Sequence, residues 1–473
     1  MSITGLKPYS AMKDSSVPWL GEVPARWEVA ALRHRYSQVL GKMLDTKRIT
    51  GTNSLRYLRN TDVQWDRVNV TDLPVMDIVP GEYGRYTVQM GDLLVCEGGE
   101  VGRCAIWTGE LDVCGFQKAL HRLRPLKVVR DMPRFMYYAL HAATKGNAFS
   151  DGHVSTIAHL TGDKLRAHPF PFPPVAEQAA IVRFLDHADR RIRRYIRAKQ
   201  TLIKLLEEQK QTIIHHAVTR GLDRNVRLKP SGVEWLGDMP EHWVVRRNGR
   251  LFAQRSQTGF AELPILEVSL KTGVRIREFE NTTRKQVMSD REKYKRAAKG
   301  DIAYNMMRMW QGAVGIAPVD GLVSPAYVVA RPLPSVEIRY FASLFRTAAY
   351  MGEVDNCSRG IVKDRNRLYW QDFKQIFSPY PPLSEQVQIA DAIDESTRTL
   401  QHAMDRIVRE ISLLREYRTR LIADVVTGKL DVREAAESLP DLPVESSVEI
   451  GPDDEIVASP EVDDTPESED ATA

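Results

Sequence analysis

The sequence predicts an α+β protein built as a pseudo-two-fold internal repeat: two mixed, sheet-rich domains separated by two long antiparallel coiled-coil helices. Three observations predict it. First, the chain of 473 residues duplicates itself at a period near 210. Second, each copy ends in a long stretch of heptad periodicity. Third, the part of each copy ahead of that stretch carries short β-type runs, such as LRYL and DLLVCE, broken by Gly, Asn and Asp turns.

The duplication is read from four paired segments in the same order. VPWLGEVPARW (Val17–Trp27) answers VEWLGDMPEHW (Val233–Trp243), pairing Trp19, Leu20, Gly21, Pro24 and Trp27 with Trp235, Leu236, Gly237, Pro240 and Trp243 at an offset of 216. GDLLV (Gly91–Val95) answers GDIAY (Gly300–Tyr304), and Gly102 and Ile106 answer Gly312 and Ile316. PFPPVAEQ (Pro171–Gln178) answers PYPPLSEQ (Pro379–Gln386), and LLEEQKQTIIHHAVT (Leu205–Thr219) answers LLREYRTRLIADVVT (Leu413–Thr427), both at an offset of 208. Between positions 40 and 70 the copies diverge heavily while the flanking anchors agree. Divergent loops on a shared scaffold are what two different binding specificities require.

The elements follow in order. Residues 1–175 form a first mixed domain and 176–222 a first long helix; 223–383 form a second mixed domain and 384–428 a second long helix. Each helix begins after a Pro-Pro pair, with Glu177 or Glu385 in the first turn and Ser384 as an N-cap, and each stops near a glycine, Gly221 or Gly428. In the second helix Ile393, Leu400, Ile407, Leu414 and Leu421 recur every seven residues, and Ile389, Met404, Ile411 and Val425 fill the alternate seam positions. Arg418 is the exception. In the first helix Ile181, Leu185, Ile192, Ile196, Ile203, Leu206, Ile213 and Ala217 form the seam, broken at Asp189, Lys199 and Lys210. The obvious partner of each helix is the other. At 1.5 Å per residue, antiparallel pairing would set the two domains at opposite ends of a rod of roughly 60 Å.

Composition narrows the function classes. Residues 434–473 hold 14 acidic residues and no Lys or Arg, a segment expected to be disordered. Without it the chain carries a net +18, which suits a phosphate backbone. No apolar run spans a membrane and no signal peptide opens the chain, so a cytoplasmic location is expected. Cys96, Cys104, Cys114 and Cys357 form no CxxC pair, and reduced thiols without a metal are expected. PFPP and PYPP lack the Asn or Asp that an adenine methyltransferase motif needs. EGGEVG (Glu97–Gly102) is not a dinucleotide fingerprint, and no phosphate-binding Walker loop is present. No catalytic residues are assigned.

Two variable domains, each introduced by W-L-G-x-x-P-x-x-W and closed by P-P-x-x-E-Q before a long helix, resemble the specificity subunits of type I restriction–modification systems over about residues 15–433. The resemblance implies a non-catalytic DNA-recognition subunit with two target-recognition domains, each reading one half of a split site on double-stranded DNA. It further implies that the helices are spacers that dock two methyltransferase subunits. S-adenosylmethionine would sit on those partners and not on this chain, and motor-nuclease subunits would complete the assembly. The acidic segment is outside the family pattern.

Base readout favours Arg or Lys on guanine, Asn or Gln on adenine, and Ser or Thr on either. In the first domain these types gather at Lys47, Arg48 and Asn53, at Arg59 and Asn60, and at His153, Ser155 and Thr156, with Glu97 and Arg103 flanking a glycine loop. In the second domain they gather at Gln254 and Arg255, Lys271 and Arg275, Arg308 and Gln311, and Arg359, Lys363, Arg365 and Asn366. Most such contacts go to the DNA backbone rather than to base edges. Trp19, Trp27, Trp235 and Trp243 are read as packing residues, and His215 and His216 as surface residues. Arg190, Arg191, Arg193, Arg194 and Arg197 form a basic stretch that is either a solvated helix face or a phosphate-facing surface.

Overall fold

A computed structural model describes residues 6–44, 50–149, 159–270, 272–277, 291–360 and 366–440. The chain divides into two compact units. Unit 1 comprises Met1–Lys199 with Arg409–Ile456, and unit 2 contains Gln200–Val408. The predicted acidic segment falls outside the described residues from position 441 onward.

Unit 1 is built on a four-stranded antiparallel sheet in the order Cys104–Ile106, Leu93–Cys96, Leu120–Pro125, Tyr36–Leu40. Unit 2 repeats it with Val314–Ile316, Ile302–Asn305, Tyr327–Pro332 and Phe252–Arg255. The central strands are buried along their length, LLVC in one unit and IAYN in the other. The paired Gly-Asp segments start them. Buried Asp92 and Asp301 each accept a backbone N–H of their own turn, from Gln89 at 2.7 Å and from Ala298 at 2.9 Å. Each also accepts an arginine, Arg124 at 2.6 Å and Arg255 at 2.5 Å. The divergent segments fold differently. Unit 1 adds a three-stranded sheet of Gly115–Phe116, Ser54–Leu58 and Val75–Asp77, whereas unit 2 pairs Leu266–Ser269 with Gly273–Ile276 and Lys295–Ala297 with Gly321–Val323.

The two long helices are Val175–Arg220 and Leu383–Val426. Ser384 lies inside the first turn rather than capping it. The N–H groups of Glu385 and Gln386 both reach back to the Pro382 carbonyl, at 2.9 Å each, so the helix starts on the proline pair. Antiparallel pairing is visible within unit 1, where Asp189 meets Arg418 and Lys199 meets Glu410, and in unit 2 Lys210 meets Gln401. Each break in the apolar seam thereby meets a polar partner on the other helix. Buried Asp189 accepts from Arg418, the one polar residue of the other seam, and from Arg193 at 2.7 Å. Nearby guanidiniums hold the Asp189 carboxyl below its ordinary range against the opposing effect of burial.

The repeated motifs dock domains onto helices. Gln178 accepts the Met132 N–H at 2.9 Å and donates to the carbonyls of Pro173 and Arg130. Gln386 accepts the Glu337 N–H at 2.9 Å and donates to the Pro381 carbonyl. Trp27 and Trp243 are fully buried, and the Trp243 indole N–H donates to Glu385 at 3.0 Å. Gly428, at φ +76°, ends the second helix against the first domain's motif. A Cβ there would lie 2.2 Å from Pro24 Cδ and 3.2 Å from Trp27 Cη2. Past it, the Asp431 N–H donates to the Lys7 carbonyl at 2.8 Å, so unit 1 joins the beginning and the end of the described chain.

Candidate nucleic-acid interface

In unit 1 the polar residues converge where the four-stranded sheet ends in the turn Glu97–Gly102. The turn is fixed from both sides: the Glu97 N–H donates to the Ala119 carbonyl at 3.0 Å, and the Leu160 N–H donates to the Glu97 carbonyl at 2.8 Å. Gly102, at φ +83°, admits no side chain, since a Cβ would sit 2.3 Å from Thr144 Oγ1. Arg103 pins the neighbouring turn, donating to the carbonyls of Val63 at 2.8 Å and Asn60 at 2.9 Å. Arg59 is held bidentately by buried Asp62 at 2.8–2.9 Å. What remains unengaged is the half-buried Asn60 amide, which makes no hydrogen bond among the described residues and lies 3.8 Å from the Cβ direction of Gly99.

Buried His121 links this turn to Gln38. The Leu160 carbonyl can only accept, so His121 Nε2 carries the proton, at 2.7 Å, and Nδ1 accepts from the Gln38 amide at 2.7 Å. Burial keeps the imidazole below its usual pKa, hence neutral. Gln38 also borders a groove of about 700 Å³ that Arg85, Arg122 and Arg166 line. Arg122 is buried with no carboxylate at ion-pair distance among the described residues; its guanidinium donates to the carbonyls of Thr87 and Gly84. The sequence reading missed these residues. The signal was present in LHRLRP, where two cations stand in a strand that otherwise reads as buried.

Asn53 stands apart from this cluster. It precedes the strand Ser54–Leu58, whereas Arg59 and Asn60 follow it, about 23 Å away at 3.3 Å per residue. Asp77 organises the Asn53 end, accepting the Thr50 hydroxyl at 2.7 Å and the backbone N–H groups of Thr50 and Gly51 at 2.6 and 3.2 Å. Those bonds hold its pKa down. Lys47, Arg48, His153, Ser155 and Thr156 lie outside the described residues.

Unit 2 places its candidates on the matching turn. Arg308 and Gln311 sit between Ile302–Asn305 and Val314–Ile316, with Gln311 exposed. The loop carrying Arg359 and Asn366 comes beside it, since the Leu368 N–H donates to the Met306 carbonyl at 2.8 Å and Arg359 bridges Arg367. Arg359 is paired with Asp372 at 2.5 Å, and Asn366 donates to Asp355 at 3.2 Å. Gln254 is exposed on the strand edge, and Arg255 is engaged by Asp301 and Gln257. Arg275 is paired with Glu267 on a separate hairpin. Lys271, Lys363 and Arg365 lie outside the described residues. The packing assignments for the tryptophans hold: Trp19 and Trp235 are half-buried in the two domain cores, with Trp19 stacked on His168 and Trp235 edge-on to Tyr350. His215 and His216 are both exposed. None of the described helices is long and apolar enough to cross a membrane.

Comparison with known proteins agrees with this architecture. A chain from a solved type I restriction–modification system, described for its complex assembly and conformational transition, is similar at a TM-score of 0.62. It is 15% identical, and the match covers 86% of this chain and 99% of that one. An HsdS subunit from Thermoanaerobacter tengcongensis is 16% identical, with 86% and 98% covered and a TM-score of 0.47. The S subunit of a type I system from M. genitalium is 15% identical, with 85% and 96% covered and a TM-score of 0.33. The statement of fold rests on the first. Residues 41–205, which carry the Glu97–Gly102 turn, Asn60, Arg103 and much of the first long helix, match the model of the type I restriction modification DNA specificity domain. The match therefore identifies a type I restriction modification DNA specificity domain over residues 41–205.

Proposed function

We propose that the chain is the non-catalytic specificity subunit of a type I restriction–modification complex and reads a bipartite site on double-stranded DNA. Residues 1–175 and 223–383 are the two target-recognition domains, and 176–222 and 384–428 are spacers that dock two methyltransferase subunits, with motor-nuclease subunits in the full complex. S-adenosylmethionine binds to the methyltransferase partners.

The observation that carries this reading is the repeated four-stranded sheet, ending in both units in a turn that presents different side chains. Unit 1 offers Asn60 beside the glycine turn and unit 2 offers Gln311 on it. One scaffold with two chemistries fits two unlike half-sites. Arg59, Arg103, Arg255, Arg275 and Arg359, engaged internally, hold loop geometry and lend positive charge. Asn53, Asn60, Gln254, Arg308, Gln311 and Asn366 are the readers and phosphate contacts, together with Lys47, Arg48, His153, Ser155, Thr156, Lys271, Lys363 and Arg365. Docking is supported by large apolar side chains left exposed on the helix pair: Tyr195, Leu413 and Tyr417 in unit 1, and Leu202, Leu205 and Val408 in unit 2.

The test is a domain exchange. Residues 223–383 are replaced by the equivalent segment of another specificity subunit, and methylated adenines are mapped with the cognate methyltransferase present. One half of the recognised site should change and the other persist. An active hybrid in which both halves change, or neither, refutes the division of labour.

A further inference from the structure

The first long helix carries a stripe of basic side chains. Arg183, His187, Arg190, Arg194 and Arg197 are spaced four, three, four and three residues apart, so they share one helix face along about 21 Å. Arg190, Arg191, Arg194 and Arg197 are exposed. Arg190, Arg194 and Arg197 make no ion pair among the described residues, and Arg191 makes a 3.4 Å contact with the Tyr195 hydroxyl. Arg193, one residue out of the stripe, turns inward to Asp189 and Asp66. Four like charges within two turns repel one another unless an anion covers them.

The same stripe begins where the described chain leaves unit 1. After the second helix, the short helix Arg433–Glu437 packs Ala436 and, just beyond it, Leu439 into the unit 1 core. Arg183 then donates to the Leu439 carbonyl. Residues 441–456 follow, with Asp441, Glu445, Glu449, Asp453, Asp454 and Glu455 and no cation. They start beside the first cation of the stripe, and 16 residues reach up to about 50 Å, more than twice its length.

We propose that residues 441–456 lie along the Arg183–Arg197 face of the first long helix as an internal polyanion that shields it from nucleic acid. Place of departure, reach and charge agree on this occupant. Other occupants of the face, the DNA backbone or a partner protein, are outcomes of the test. The contact does not depend on which bases the domains read, so it stands or falls apart from the function proposed above.

The experiment uses the full chain, a version ending at Pro440, and the quadruple variant Arg190→Gln, Arg191→Gln, Arg194→Gln, Arg197→Gln of each, all checked for equal thermal unfolding. A synthetic peptide of residues 441–456 should bind the shortened chain at low salt, and bind the shortened quadruple variant at least tenfold more weakly. Affinity for DNA of arbitrary sequence should rise on shortening, with the slope of log affinity against log salt steepening by roughly 0.9 for each arginine that then meets a phosphate. In the quadruple background shortening should change neither quantity. Peptide binding that ignores the four substitutions, or an equal gain in DNA affinity in both backgrounds, overturns the proposal by placing the polyanion elsewhere. Should the quadruple variants unfold early, neutralising the six acidic residues (Asp→Asn, Glu→Gln) in the full chain decides the same question: DNA affinity unchanged from that of the full chain overturns the shielding, and affinity raised toward that of the shortened chain upholds it.

Discussion

Asn60 and Arg103 differ in what their side chains have left to give. The Asn60 amide is unengaged among the described residues, while Arg103 holds two backbone carbonyls some forty residues away in sequence. Asn60→Ala should relax preference at a single base pair, costing about 1–3 kcal/mol of discrimination there. Arg103→Ala should lower modification of the whole first half-site, because it releases the turn that presents Asn60. Methylation yields on a panel of single-base variants distinguish the two; a single-position effect from Arg103→Ala would make it a reader. Types of residue are legible in sequence, but engagement is not. Arg59 could be suspected from Asp62 three residues on, whereas the acceptors of Arg103 and the carboxylate of Asp372 under Arg359 depend on sheet register and loop closure.

At the scale of elements, the repeat and the heptads gave the two helices and their antiparallel sense, while the breaks in the seam looked like faults. They are matched across the pair, and a matched buried charge is costly to leave alone. Arg418→Leu strands Asp189 with only Arg193 and should destabilise unit 1 by about 3–5 kcal/mol. Lys199→Leu removes a pair that is about one-third exposed and should cost less than about 1 kcal/mol. Denaturant melts of the two variants should separate clearly; equal effects would mean the Asp189 network adds little. The Gln of P-P-x-x-E-Q was visible as a repeated letter without a role. Gln386→Ala removes the fully buried acceptor of the Glu337 N–H, a loss of about 1–3 kcal/mol.

For the molecule as a whole, the two units should respond differently to acid. In unit 1 burial lowers the pKa of His121, brings His141 down to about 3 and His168 down to about 4. Unfolded, these imidazoles take up protons near the ordinary 6.5; folded, they resist until the lower values. Their contribution to stability is therefore complete above about pH 6.5 and is lost as the pH falls from there toward 4 and 3. The depressed Asp189 carboxyl acts in the same direction at lower pH. In unit 2 burial lowers the pKa of His215, which lies on the first long helix. Hydrogen exchange between pH 7 and 4.5, corrected for its intrinsic rate, should open Phe135–Ala143 before Tyr340–Phe345; the reverse order would refute the assignment.

The junction of Lys7 with Asp431 sets an order on synthesis. Leu421, Ile422, Val425, Val426, Val432, Ala436 and Leu439 all belong to the core that contains Trp27 and Phe135. The domain that leaves the ribosome first therefore lacks part of its interior until nearly the last described residue has been made. At 5–20 residues per second the 240 residues separating Lys199 from Leu439 represent roughly 10–50 s of waiting. The described residues of unit 2 run from Gln200 to Val408, and its core, Ala217 to Ile393, is in hand sooner. The half that is made earlier is thus the half that finishes folding later, and a nascent chain stalled before Leu421 would present the first domain's unfilled apolar face to chaperones while the second stood closed.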